Sequence, residues 1–261
     1  MRFRPCIDIH NGKVKQIVGG SLKDQNDVAK ENFVASQDST FFANLYQKKG
    51  LKGGHIILLN PVSSPYYQET KEQAVKALKA YPKGMQIGGG ITRENAAFFL
   101  EQGADKVIVT SYVFRHGEID YKNLESILRE VGKEHLVLDL SCRKKGEDYF
   151  IVTDRWQNYT NVALNKESLD FFAGFCNEFL IHAVDVEGKQ AGIEKQVAAI
   201  LGDWGKCEAT YAGGIRSNED LEQLKRLGKD KIDFTVGSAL DLFGGVLEFE
   251  KISERYNGGK N

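Results

Sequence analysis

The chain has 261 residues, with few cysteines, no long apolar run and no surplus of either charge, and each shortage excludes a class of protein. The four cysteines, Cys6, Cys142, Cys176 and Cys207, are scattered. They have neither the density of a disulfide scaffold nor the C-x-x-C spacing of a metal site, so reduced thiols in a cytoplasmic protein are expected. No apolar stretch approaches the roughly 18 residues of a membrane span, and the opening MRFRPCIDIHNGK meets charge before any run of signal-peptide length. A partner membrane is therefore not expected. With 35 basic and 36 acidic residues the net charge is -1 and the pI about 6.5, which leaves no broad positive field for a nucleic-acid backbone. Any phosphate must then be held locally, by helix-start N–H groups or a few side chains. No low-complexity linker divides the sequence; only the polar stretch Gly20 to Ser39 and the Gly258-Gly259 tail read as irregular. The first of these is long for a loop in a compact domain and suits a substrate cover.

Short apolar runs closed by turn residues start at Phe3 (FRPCIDI), His55 (HIILL), Met85 (MQIG) and Lys106 (KVIVT). Four more start at His135 (HLVLDL), Phe179 (FLIHAVDV), Ala209 (ATYAGG) and Asp233 (DFTVG). Between them apolar residues recur at helical spacing, as in Phe41, Phe42, Leu45 and Tyr46, or Ala96, Phe99 and Leu100. The sets Leu124, Ile127, Leu128, Val131 and Leu221, Leu224, Leu227 do the same. Eight strands alternating with helices make an α/β protein with a parallel sheet, either closed as a (β/α)8 barrel or open and doubly wound. The length suits one barrel, which needs about 250 residues.

Internal repetition favours closure. Gly89-Gly90-Ile91 recurs as Gly213-Gly214-Ile215, Thr110-Ser111 is matched by Gly237-Ser238, and Asp8 by Asp139. The order is the same in both sets and the offsets are all roughly 125–130 residues, the mark of a duplicated half of four strands. The expectation is one domain over residues 1–261, with halves of about 1–130 and 131–255. Strand alternation places Cys6, Asp8 and His10 on one face, and Val137 and Asp139 on the equivalent face of the fifth strand. A strand-end carboxylate facing inward is costly unless paired or working. Either aspartate alone could order a loop or pair with Lys13 or Lys144; matched placement in both halves favours chemistry. The glycine turns QIGGGITREN and YAGGIRSNED lead into helical patterns, where a phosphate can approach the main chain. Gly89, Gly90, Thr110 and Ser111 would form one anion cradle, and Gly213, Gly214, Gly237 and Ser238 a second at the opposite rim. Arg93 and Arg216 follow the two turns, more plausibly as solvated charges than as phosphate ligands.

Long segments in a fixed order, CIDIHNGKVKQIVGG, QIGGGI, VIVTS, LDLSCRK, FLIHAVDVEG, YAGG and GSALDLFGG, make the sequence resemble the phosphoribosylformimino-aminoimidazole carboxamide ribotide isomerases of histidine biosynthesis. The resemblance covers nearly the whole chain and is closest to the eukaryotic branch. It implies a twofold-symmetric barrel, a substrate with a phosphate at each end, and an Amadori rearrangement of aminoaldose to aminoketose without metal or organic cofactor. It also implies Asp8 as general base and Asp139 as general acid. His10, Arg143, Trp156, His182 and Asp185 are further candidates for contact with the substrate, Trp156 as an aromatic stacking on the imidazole or as ordinary packing. Bacterial relatives carry a threonine where this chain reads His182-Ala183-Val184-Asp185, so His182 or Asp185 is the candidate replacement. The working expectation for assembly is a monomer.

Two rival readings follow from the same residues. The related cyclase barrel of the next pathway step also pairs aspartates between two phosphate sites, but typically reads Lys-Asp-Gly where this chain has His10-Asn11-Gly12, and it needs a glutaminase partner. A barrel that binds phosphoribosyl ligands without catalysis is the other, and retention of both aspartates argues against it.

Overall fold

The computed structural model describes residues 1–17, 31–189 and 191–257. Residues 18–30, and with them most of the expected substrate cover, lie outside that set, as does the Gly258-Gly259 tail. Of the remainder of the cover, Glu31–Val34 is a strand instead of irregular chain. Its backbone pairs antiparallel with Lys13–Ile17, in the register Lys15↔Val34 and Gln16↔Phe33.

Eight short parallel strands form at the apolar runs: β1 (Cys6–His10), β2 (Gly54–Leu58), β3 (Met85–Gly88), β4 (Val107–Val109), β5 (Leu136–Asp139), β6 (Glu178–His182), β7 (Glu208–Ala212) and β8 (Asp233–Phe234). Each pairs in parallel with the next, with registers that include Asp8↔Ile57, Ile87↔Val107, Ile108↔Val137 and Leu180↔Thr210. The ring then closes. Phe3 bridges to Phe234, the Arg4 N–H donates to the Phe234 carbonyl at 2.8 Å, and the Phe234 N–H donates to the Arg2 carbonyl at 3.0 Å. An open doubly wound sheet would leave its outer strands unpaired, so the closure decides for the barrel. The sixth run ends early for a local reason. FLIHAVDV stops being strand after His182, because Val186 N–H turns back to the Ala183 carbonyl and Glu187 N–H to that of Val184, both at 3.2 Å.

The helices are α1 (Ser39–Lys48), α2 (Tyr67–Ala80), α3 (Arg93–Glu101), α4 (Tyr121–Val131), α5 (Lys166–Phe172), α6 (Lys195–Trp204), α7 (Asn218–Leu227) and α8 (Phe249–Arg255). Their starts carry the expected chemistry. Asp38, Asp120 and Ser217 cap α1, α4 and α7 by accepting from Phe41, Asn123 and Asp220 N–H groups, each cap stabilising its helix by about 1 kcal/mol. Their buried stripes, Phe42 and Tyr46, Leu124 and Ile127, Leu221 and Leu224, follow the spacing read in the sequence. The two halves match in their additions as well. An antiparallel ribbon follows β1, another (Cys142–Lys145, Asp148–Thr153, Asn158–Ala163) follows β5, and short 3-10 turns follow β4 and β8.

Inside the barrel Ile108, Val137, Leu180 and Ala212 pack as a buried ring against Ile57. A buried side chain of this size contributes about 1.5–3 kcal/mol, and the ring also separates two polar ends. At the N-terminal end, buried Arg4 bonds Asp233 at 2.8 Å and pairs with Glu178 at 3.4 Å, while Lys106 and Gln86 reach Glu178 at 2.6 and 2.8 Å. The other end carries the two aspartates.

Candidate active site

In β1 the alternation buries Ile7 and Ile9 completely beneath the helices and turns Asp8 into the barrel mouth. Asp139, the last residue of β5, is buried and reaches the same mouth from the other half. Both line one cavity of about 550 Å³. Asp8, His182 and Glu187 also line an adjoining recess of about 40 Å³ between β7 and β8, so these three groups stand where the two spaces meet.

The carboxylates differ in environment. Burial, and then the charge of Glu187, raise the pKa of Asp8 to about 7, against the opposing pull of His182 and a contact from Gln16 Nε2 at 3.5 Å. Burial would raise Asp139 as well. The His182 ring, with Nδ1 3.6 Å from Oδ2, and hydrogen bonds from Ser141 N–H at 2.9 Å and Oγ at 2.6 Å outweigh it and hold Asp139 below the ordinary carboxylate range. Burial alone would lower His182, but Asp139 first, then Glu187 and Asp8, lift it to about 9. With Asp139 beside it, the ring therefore favours the imidazolium form at neutral pH. Its edge faces His55 at 6.1 Å between ring centres; burial and then that positive charge depress His55 to about 3, so this second ring stays neutral. Burial also raises Glu187 against the pull of His182.

The expected cradles lie at opposite ends of this arrangement. Gly89, Gly90, Thr110 and Ser111 line the cavity on the β3–β4 side; Gly213, Gly214, Gly237 and Ser238 line the recess on the β7–β8 side. Gly89 and Gly213 have φ of +93° and +117°, and a Cβ on either would fall 2.1 Å from the Leu58 carbonyl oxygen or 2.7 Å from that of Ala183. Only glycine fits both turns. The helix starts behind them are partly self-satisfied: Thr92 and Asn95 form a capping box on α3, and Asp220 accepts the Arg216 N–H at 3.0 Å on α7. The surface open to the two spaces is consequently the strand-end main chain more than the helix ends. Arg93 is exposed and pairs with Glu130, and among the described residues no lysine lines either space.

The remaining candidates divide. Trp156 lines the cavity with its ring centre 5.6 Å from that of His182, a packing that a charged imidazole strengthens. It sits at the tip of the ribbon after β5, where Asp154, Arg155 and Trp156 all adopt left-handed φ (52°, 55° and 67°), an uncommon run that holds the indole over the mouth. Arg143 and Asp185 engage each other at 3.0 Å, tying that ribbon to the turn after β6, and neither is among the lining residues. His10 is buried and lines neither space. Sequence reading missed Glu187, Gln16 and His55. The signal for Glu187 is the Glu187-Gly188 pair that closes FLIHAVDVEG, directly after the apolar run FLIHAVDV, where it marks a turn at the barrel mouth. Among the described residues no group of three or more His, Cys, Asp or Glu side chains is arranged to hold a metal.

Residues 2–247 match the family described as histidine biosynthesis protein. A relative from Medicago truncatula, named as a chloroplastic phosphoribosyl-(phosphoribosylamino)methylideneamino imidazole carboxamide isomerase, is 49% identical over 98% of this chain and 82% of its own length. Relatives of the same isomerase name from Neurospora crassa and Saccharomyces cerevisiae are 46% and 41% identical. They cover 94% and 95% of this chain, and 93% and 95% of their own lengths.

Proposed function

The chain belongs to the histidine biosynthesis protein family, and from that premise we propose that it is an aldose–ketose isomerase acting on a bis-phosphorylated imidazole carboxamide ribotide. It converts the phosphoribosylamino form to the ribulosyl form by an Amadori rearrangement. The observation that carries the reading is the placement of Asp8, His182 and Glu187 at the junction of two spaces that each end in a glycine-built cradle. A substrate with a phosphate at each end, seated in both cradles, has its central ribosylamine over these three groups.

The rearrangement needs a proton delivered to the furanose oxygen as the ring opens, and then removal of the proton on the carbon beside the resulting imine. Asp8, with a pKa near 7, is matched to the second task, because a base is most effective when its pKa lies near the working pH. Asp139 is held ionised by His182 and Ser141, which suits a carboxylate that fixes the imidazolium. The resemblance implies Asp139 as the general acid; because His182 and Ser141 favour its ionised form, the proposed alternative gives proton delivery to Glu187, which lines both spaces beside Asp8 and which burial raises, and leaves Asp139 to orient His182. His182 in turn supplies a positive charge beside the reacting carbons, in the place of the bacterial threonine. Trp156 covers the imidazole carboxamide, and Gly89 to Ser111 and Gly213 to Ser238 hold the two phosphates.

The proposal extends to one barrel unit over the chain, with halves of about 1–130 and 131–255, working as a cytoplasmic monomer without a membrane or nucleic-acid partner. Among the described residues no helix is long and apolar enough to cross a membrane. Cell fractionation and a sedimentation run test compartment and assembly. The reaction is tested by incubating the purified chain with the bis-phosphorylated ribotide and separating aminoaldose from aminoketose. Conversion without ammonia, lost in Asp8→Asn and Glu187→Gln, is the expected result; if both variants keep turnover within about tenfold of the parent, the mechanism is abandoned.

A further inference from the structure

Gln16 lies on the strand that folds back antiparallel from β1, with Ile9 opposite Val14 and His10 opposite Lys13, and it is only 4% exposed. Its amide is shared between two places. Nε2 points to Asp8 Oδ2 at 3.5 Å and to Cys6 Sγ at 3.8 Å, while Oε1 rests 2.1 Å from the position a Cβ on Gly237 would occupy. The missing side chain of Gly237 is thus filled by this amide. Gln16, Asp8, Gly237 and Ser238 all line the recess between β7 and β8.

We propose that Gln16 is a positioning residue that couples the β7–β8 anion cradle to the Asp8 carboxylate, bracing the cradle wall with its carbonyl while its N–H orients the base. The proposal rests on the isomerase reading above and deepens it. At 3.5 Å the contact to Asp8 is long, and such contacts shorten as a catalytic site takes up its substrate. A phosphate pressing on the Gly237-Ser238 main chain moves the amide toward the carboxylate, so filling the cradle prepares the base. A long aliphatic side chain would fill the same space, but it could not hold an ionised oxygen. Among the described residues the titratable and polar groups that interact with Asp8 are Glu187 in the turn after β6, His182 at the end of β6, Cys6 on its own strand, Tyr46 on α1 and Gln16; of these only His182 and Gln16 favour its charged form.

Four variants test it: Gln16→Leu, Gln16→Ala, Gly237→Ala and the double variant Gln16→Ala with Gly237→Ala. Gln16→Leu keeps the volume and removes the amide. Its kcat is expected to fall about tenfold with KM within about threefold, and the acid limb of the kcat/KM profile to move up by about half a pH unit. Gly237→Ala pushes the amide off Asp8 and loses kcat similarly. Removing the side chain it collides with relieves the clash, so Gly237→Ala costs less turnover in the Gln16→Ala background than in the parent. A Gln16→Leu variant that changes KM alone, or a Gly237→Ala penalty of the same size in both backgrounds, overturns the coupling. Circular dichroism verifies that each variant is folded. Independently of turnover, carboxyl 13C NMR of Asp8 should show its midpoint raised in Gln16→Leu. A parent chain without conversion of the ribotide sinks the isomerase reading, whereas an unmoved Asp8 midpoint sinks the role of Gln16.

Discussion

Replacing Asp8 by asparagine is expected to abolish turnover and to make the protein more stable. The side chain has nearly the same shape, so at about pH 2, where the carboxyl is neutral in both folded and unfolded chains, parent and variant should unfold alike. Above that pH they separate. Burial raises the folded pKa of Asp8 from 3.8 to about 7, so the folded chain holds a proton that the unfolded chain releases. A raised carboxylate pKa contributes stability at low pH and loses it progressively between about pH 4 and 7. At 1.36 kcal/mol per pH unit a shift of about three units is a ceiling of about 4 kcal/mol. Asp8 keeps part of its surface at the mouth, and water there reduces the figure to about 2 kcal/mol. Urea unfolding at pH 4, 6 and 8 measures it, and because every other titrating group is common to both chains their effects cancel in the difference. The predicted outcome is that the Asp8→Asn variant gains about 2 kcal/mol over the parent between pH 4 and 8. A difference that stays flat across that range would refute the idea that this carboxylate is held in place at a cost to the fold.

Three other perturbations follow from the same geometry. In His182→Gln the loss of stability relative to the parent should be about 3 kcal/mol below pH 6.5 and fade as pH rises through about 9, because the raised imidazole pKa stabilises only while the ring is charged; equal melts at pH 6 and pH 10 would contradict it. Gly89→Ala forces a left-handed side chain against the Leu58 carbonyl and should cost about 2–4 kcal/mol in denaturant unfolding, with KM for the ribotide rising as the cradle shifts; an unchanged midpoint would mean the turn has room that its geometry denies. Glu178→Gln leaves Arg4 and Lys106 short of their shared carboxylate at the far end of the barrel, so about 3 kcal/mol of stability should go while kcat/KM per folded molecule is unchanged; altered kinetics would show that the two ends communicate.

Much of the fold was legible because the signals were local. All eight apolar runs became strands, and the recurrence of Asp8 at Asp139 and of Gly89-Gly90 at Gly213-Gly214 announced a duplicated half. What could not be read was where a strand gives way to a turn that carries chemistry. Ala183 to Val186 is apolar enough to extend β6, yet main-chain turn bonds end the strand at His182 and swing Glu187 over the mouth. Gln16 was hidden for a different reason. Asp8 is its neighbour in the hairpin, but Gly237 comes from the other end of the chain, beside the last strand, a contact made only by closure of the ring, and nothing in the spacing of one strand announces it. Arg143 and Asp185 illustrate the converse: charge near a motif suggested contact with a ligand, while folding gave each the other as partner.

The four ionisable groups at the mouth make sense as two pairs with unequal freedom. Asp139 and His182 neutralise each other at 3.6 Å, and their opposite shifts, one down and one up, keep both charged across the neutral range. That pair can stabilise charge but has little proton to give or take. Asp8 and Glu187 are the reverse case: each is half-buried, the charge of Glu187 raises Asp8, and ionising both at once is opposed. Two carboxylates that oppose each other's charge favour a state in which one of them keeps its proton. A single proton on two carboxyls is what the proposed rearrangement uses, one group to give and one to take. The imidazolium of the pair beside them, between Trp156 and His55, opposes the rise in their pKa, because its charge lowers both Asp8 and Glu187.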